Sequence, residues 1–120
     1  MSPDQDTAST THAVIRIPLL TATIDGAKPV ARVEVKRIEL APGQRSGLHL
    51  HPCPVVGVLT RGAIFFQVDG APGRILQAGD AFYEPANTRV PHFDARDDGA
   101  TFVAHYLLGP DKKELITMLE

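Results

Sequence analysis

The chain has 120 residues, a net charge of −2, and a composition 43% apolar and 22% charged, enough for one core and too little for two domains. The charge lacks any long run of one sign, which excludes a dedicated nucleic-acid face, and no apolar run approaches the ~20 residues of a membrane span. The one cysteine, Cys53, excludes an intrachain disulfide and a cysteine-rich zinc module.

Residues 1–11, MSPDQDTASTT, hold almost nothing to bury and are expected to be a disordered tail. They lack the basic start and apolar stretch of a signal peptide, so a cytoplasmic location is expected. Ten glycines and ten prolines punctuate the remainder into short segments rich in Val, Ile, Phe and Leu. That pattern predicts many short strands joined by turns, within one domain over 12–120.

HAVIRIPLL (12–20) is expected to begin the first strand, with His12 at its surface or in the tail. VARVEVKRIEL (30–40) is the clearest strand. Ala31, Val33 and Val35 share one parity and Ile38 and Leu40 the other, so a β-bulge is expected at Lys36–Arg37. LHLH (48–51) and VVGVLT (55–60) are short strands separated by Pro52-Cys53-Pro54. AIFFQV (63–68), RILQ (74–77), AFYE (81–84), RVPHF (89–93) and ATFVAHYLL (100–108) follow, separated by turns such as DGAPG. The last ten residues, DKKELITMLE, read equally as a short helix or an extended arm. Turn signals every ~8–12 residues suit a sandwich or barrel.

The chemistry concentrates around GLHLHPCPVV (47–56). Positions i and i+2 of a strand project to one side, so His49 and His51 point together and could hold one divalent ion. Cys53 continues the same spacing, but the flanking prolines bend the chain and leave it as a small buried residue. In AFYEP, Phe82 and Glu84 share the inward parity. An inward carboxylate needs a cation or a partner.

The run PGQRSGLHLHPCPVVGVLTRG resembles the first motif of the cupin superfamily, G-x5-H-x-H-x3,4-E-x6-G, with Gly43, His49, His51 and Gly62 in register. GDAFYEPANTRVPHFD resembles the second, G-x5-P-x-G-x2-H-x3-N, through Gly79 and Pro85. The resemblance covers about residues 30–108 and implies an all-β, antiparallel jelly-roll barrel. It further implies a metal set of two histidines, a glutamate and a third histidine, holding iron, manganese, nickel, zinc or copper. Many cupins are oxygenases or isomerases; others only bind small molecules, so the fold does not choose. Cupin barrels commonly form homodimers through outer sheets and N-terminal strands, a role open to Val14–Leu20.

Several positions depart from the motifs. The glutamate falls on Val55, the second-motif glycine on Asn87, its histidine on Val90 and its asparagine on Asp94. His92, two residues past Val90 and about 6–7 Å further along a strand, is the candidate third ligand beside His49 and His51. Glu84 is the candidate proton-transfer residue or a replacement carboxylate; the alternative places it at the barrel mouth, solvated or paired with Arg89. The expected pocket is Val55, Val58, Phe66, Phe82 and Val90, with Cys53 and His105 at its margin, His105 being equally suited to a dimer interface. Two functions follow: a metal-binding cupin acting on a small molecule as an oxygenase or isomerase, or a non-catalytic barrel binding one. Neither nucleic acid nor membrane is an expected partner.

Overall fold

A computed structural model describes residues 13–26, 28–111 and 115–119. The expected tail over 1–11, and His12, lie outside them. Among the described residues the regular structure is all strand: β1 (Arg32–Leu40), β2 (His49–Leu50), β3 (Val55–Gln67), β4 (Arg74–Gln77), β5 (Ala81–Glu84), β6 (His92–Leu108) and β7 (Thr117–Met118). All pairings are antiparallel, in the order β1-β6-β3-β4, with β5 also on β3 and β2 paired to β7. This is the jelly-roll barrel expected from the sequence. No helix among these residues is long and apolar enough to cross a membrane.

The two strands expected at 55–60 and 63–68 are one bent strand, β3. Its register to β6 shifts between Leu59 and Arg61 and again between Gly62 and Ile64. Gly62 makes the bend with φ of 78°, and a Cβ there would collide with the Gly99 carbonyl. Only glycine accommodates both that backbone and that approach. The bend lets β3 change partners, pairing with β5 through Val55–Val58 and with β4 through Ala63–Phe66.

No bulge occurs in β1. Its ladder to β6 runs unbroken from Arg32↔Leu108 to Leu40↔Ala100. Ile38 and Leu40 pack against the core, and the strict two-residue period then turns Val33 and Val35 outward, 51% and 58% exposed. No strand is formed over the described residues 13–24, where a strand was expected to begin within 12–20, and Val14, Ile15 and Ile17 stand exposed. Of the two readings of the C-terminus, residues 115–119 take the extended one.

Four phenylalanines fill the barrel. Phe66, Phe82, Phe93 and Phe102 form tilted and edge-to-face pairs with centroids 4.7–5.8 Å apart.

Candidate metal centre

β2 is too short to hold itself in place and is clamped on both sides. His49 exchanges backbone hydrogen bonds with Val90. Across its other edge lies β7, with His49↔Met118 and Leu50↔Thr117 in register and the Leu119 amide donating to the Leu48 carbonyl at 3.0 Å. Asn87, at φ of 56°, turns its amide to donate to the His51 carbonyl at 2.7 Å. Asparagine tolerates the left-handed geometry for which the motif uses glycine.

The imidazoles are oriented from behind. His49 Nδ1 lies 2.8 Å from the Gly47 carbonyl and His51 Nδ1 lies 2.6 Å from the Leu115 carbonyl. A carbonyl can only accept, so each Nδ1 carries a proton and each ring turns its Nε2 forward. Backbone carbonyls in this position are the usual support of metal-binding histidines.

Glu84 comes from β5, where it stands directly opposite Val55 on β3. Directly paired residues share a face at about 5 Å. The carboxylate absent at Val55 is therefore supplied by its cross-strand neighbour. Glu84 Oε1 lies 2.7 Å from His51 Nε2 and 3.7 Å from His49 Nε2, with all three residues at most 5% exposed. Their ligand atoms lie within 4.8 Å of one another.

This arrangement is incomplete as it stands. Oε1 is buried without a hydrogen-bond donor. At 2.7 Å it faces a nitrogen whose own proton is on the far side, so two lone pairs meet unless a cation or an added proton lies between them. Burial opposes the charge on Glu84, but the His49 and His51 imidazoles hold its carboxyl below the ordinary range. Burial likewise opposes charge on His49, and the Glu84 carboxylate and Gly47 carbonyl outweigh it and raise the imidazole. Both shifts are those of an imidazole and a carboxylate that favour one another's charge.

A cavity of about 170 Å³ opens beside the cluster. Val55 and Phe82 line it as expected, together with Ile38, Leu40, Ser46, Phe93, Phe102, Ala104, Tyr106 and Ile116. Tyr106 packs edge-on to the His51 ring at 5.7 Å. Burial and the nearby Glu84 push its phenol up to about 12. Phe102 and Tyr106 were not legible as lining residues because both parities of their strand are apolar. The Gly47 and Leu115 carbonyls carry no side-chain signal at all.

Other expected residues lie elsewhere. Val58 and His105 occupy outward positions of β3 and β6, and His105 Nδ1 donates to the Val56 carbonyl at 3.0 Å. Phe66 and Val90 are core residues behind the cavity wall. Cys53 is buried and borders a separate groove with Pro52 and Pro54. Arg89 does not pair with Glu84; its carbonyl instead accepts from the Asp69 amide.

His92 is not brought to the cluster. It begins β6, half-exposed, with Nδ1 2.8 Å from Asp94 Oδ2 and its ring 5.2 Å from Phe65. Pro91 separates it from Val90, which pairs with His49 outside β6, so the strand period does not carry from Val90 to His92. Phe93 takes the inward position instead.

A family model described as a cupin domain matches residues 36–104. No curated protein is similar enough to the sequence to count as a match. Among solved structures, a cupin-like protein from Thermotoga maritima is 29% identical with a TM-score of 0.62, over 72% of this chain and 64% of that one. An oxalate oxidase is 21% identical with a TM-score of 0.62, over 72% of this chain and 46% of the other. The DMSP lyase DddQ from Ruegeria pomeroyi is 18% identical with a TM-score of 0.62, over 72% of this chain and 42% of that one. The chain thus spans about half the length of the oxidase and less of the lyase; these two likenesses speak to the fold.

Proposed function

This chain belongs to the cupin family, and on that premise we propose that it binds one divalent transition metal through His49, His51 and Glu84 and acts on a small molecule held beside it. One observation carries the reading: a buried Glu84 oxygen with no hydrogen-bond donor, aimed at the Nε2 atoms of two imidazoles. A divalent ion satisfies all three at once. Two imidazoles and a carboxylate form a mixed nitrogen and oxygen donor set suited to iron, manganese, nickel, zinc or copper. Three protein ligands leave positions open, where a bound ion would polarise an oxygen-bearing ligand or activate water or dioxygen. The chain's own contributions are Nδ1 bonds that fix both rings, Phe walls that exclude water, and a Tyr106 phenol that stays protonated.

The purified protein, stripped by chelation and titrated with Co(II) or Mn(II), is expected to take up one ion per chain and to melt higher when loaded. His51→Ala is expected to lose the ion. Failure to take up any ion, with melting unchanged by chelator or metal, overturns the reading.

A second reading is a ligand-binding barrel without turnover. It is favoured by the cavity lining, where, among the described residues, Ser46 and Tyr106 are the only polar side chains besides the three metal-ligand candidates. A loaded protein that binds ligands but converts none would select it.

We also infer a homodimer. The exposed Val33 and Val35 on the outer sheet and the exposed arm around Val14, Ile15 and Ile17 support it.

A further inference from the structure

We propose that the cavity beside His49, His51 and Glu84 selects a small monoanion, with one carboxylate at the metal end and an apolar body about the size of a six-membered ring, and discriminates against dianions. This rests on the metal reading above and adds the chemical class of the ligand.

Polarity within the cavity is confined to one end. Ile38, Leu40, Val55, Phe82, Phe93 and Phe102 form its walls. Among the described residues, no lysine, arginine, asparagine or glutamine lines it. These walls offer a charged group on the ligand no partner, and the ion offers one. A second one at the far end would lie against aliphatic and Phe side chains, stripped of water and without a partner.

The charge at the metal end points the same way. A divalent ion with the Glu84 carboxylate and two neutral imidazoles carries one net positive charge. One carboxylate on the ligand brings that to zero, whereas a dianion leaves a negative charge in an apolar enclosure.

Volume sets the size of the body. The cavity holds about 170 Å³. An apolar cavity of about 150 Å³ in another protein accepts benzene. A benzoate or a branched six-carbon acid fits this space, with the ring or branch against Phe82, Phe93 and Phe102.

Spectral titration of the Co(II)-loaded protein tests the proposal, using benzoate, 4-methylpentanoate and succinate. The last two differ at the far end, which is an isopropyl group in one and a similarly sized carboxylate in the other. Cobalt content, measured first on the same sample, decides the metal reading separately. The expected result is that 4-methylpentanoate and benzoate perturb the cobalt spectrum and bind at least tenfold more tightly than succinate. A loaded protein that binds succinate as tightly as 4-methylpentanoate, or binds neither monoacid, overturns the ligand class and leaves the metal site standing. A protein that takes up no cobalt overturns both.

Discussion

Glu84 and Val55 face each other across the β3–β5 ladder, so a carboxylate can reach the same two histidines from either strand. Glu84→Val is expected to abolish metal binding, and adding Val55→Glu to it is expected to restore affinity to within about tenfold of the parent, measured by metal titration. Persistent loss in the double variant would count against the cross-strand exchange. Glu84→Gln separates function from stability. The amide would donate to an imidazole Nε2 that now meets a lone pair, so the metal-free variant should be more stable at pH 8 by about 1 kcal/mol while losing the metal. Tyr106 gives a pH signature. Its phenol is raised from 10.0 to about 12, so the stability it contributes is intact below pH 10 and is lost as pH rises toward 12, where the unfolded chain ionises first. Chemical denaturation between pH 9 and 12 should show a smaller alkaline loss in Tyr106→Phe. At this scale the inward parity of Phe82 and Glu84 was legible, because AFYE alternates cleanly. His92 was not, because Pro91 interrupts the period on which its placement depended.

The C-terminal segment is the element on which the site most depends. β7 pairs with β2, and the Leu115 carbonyl holds the His51 ring at 2.6 Å. Ending the chain at residue 114 removes both contacts, leaving His51 free to change tautomer and direction. Metal affinity should fall about 10–100-fold, the usual effect of losing a partner behind a metal ligand, while far-ultraviolet circular dichroism retains its strand signal. Unchanged affinity would show that β2 is held well enough by Val90 alone. The sequence left this segment open between helix and arm for a physical reason. Its partner is two residues long and nearly seventy residues distant, so no local period records the pairing. β3 was split in two on paper for a related reason: Gly62 looks like a turn and acts as a bend within a continuous strand.

At the scale of the molecule, the described residues expose apolar side chains on the outside of the sheet as well as in the cavity. Val33 and Val35 reach outward because the β1–β6 ladder has no bulge. An arm bearing Val14, Ile15 and Ile17 lies near the start of the chain. A second copy is the occupant that the homodimer reading assigns to these surfaces. Light scattering should give the mass of two chains, and Val33→Asp with Val35→Asp should weaken association at least a hundredfold while leaving metal uptake intact. The barrel itself was legible from turn spacing and the glycine frame, since those residues are required wherever the backbone reverses. The partition of β1 into a core face and an outer face was not, because alternation marks two faces without saying which is covered by a partner.

The central claim is that His49, His51 and Glu84 hold one ion between them. A crystal structure of the metal-loaded protein, with anomalous data collected at that metal's absorption edge, tests it directly. One strong peak is expected about 2.1 Å from His49 Nε2, His51 Nε2 and a Glu84 carboxylate oxygen. A cluster without a peak in metal-loaded crystals, or a peak on His92 and Asp94 instead, would contradict it.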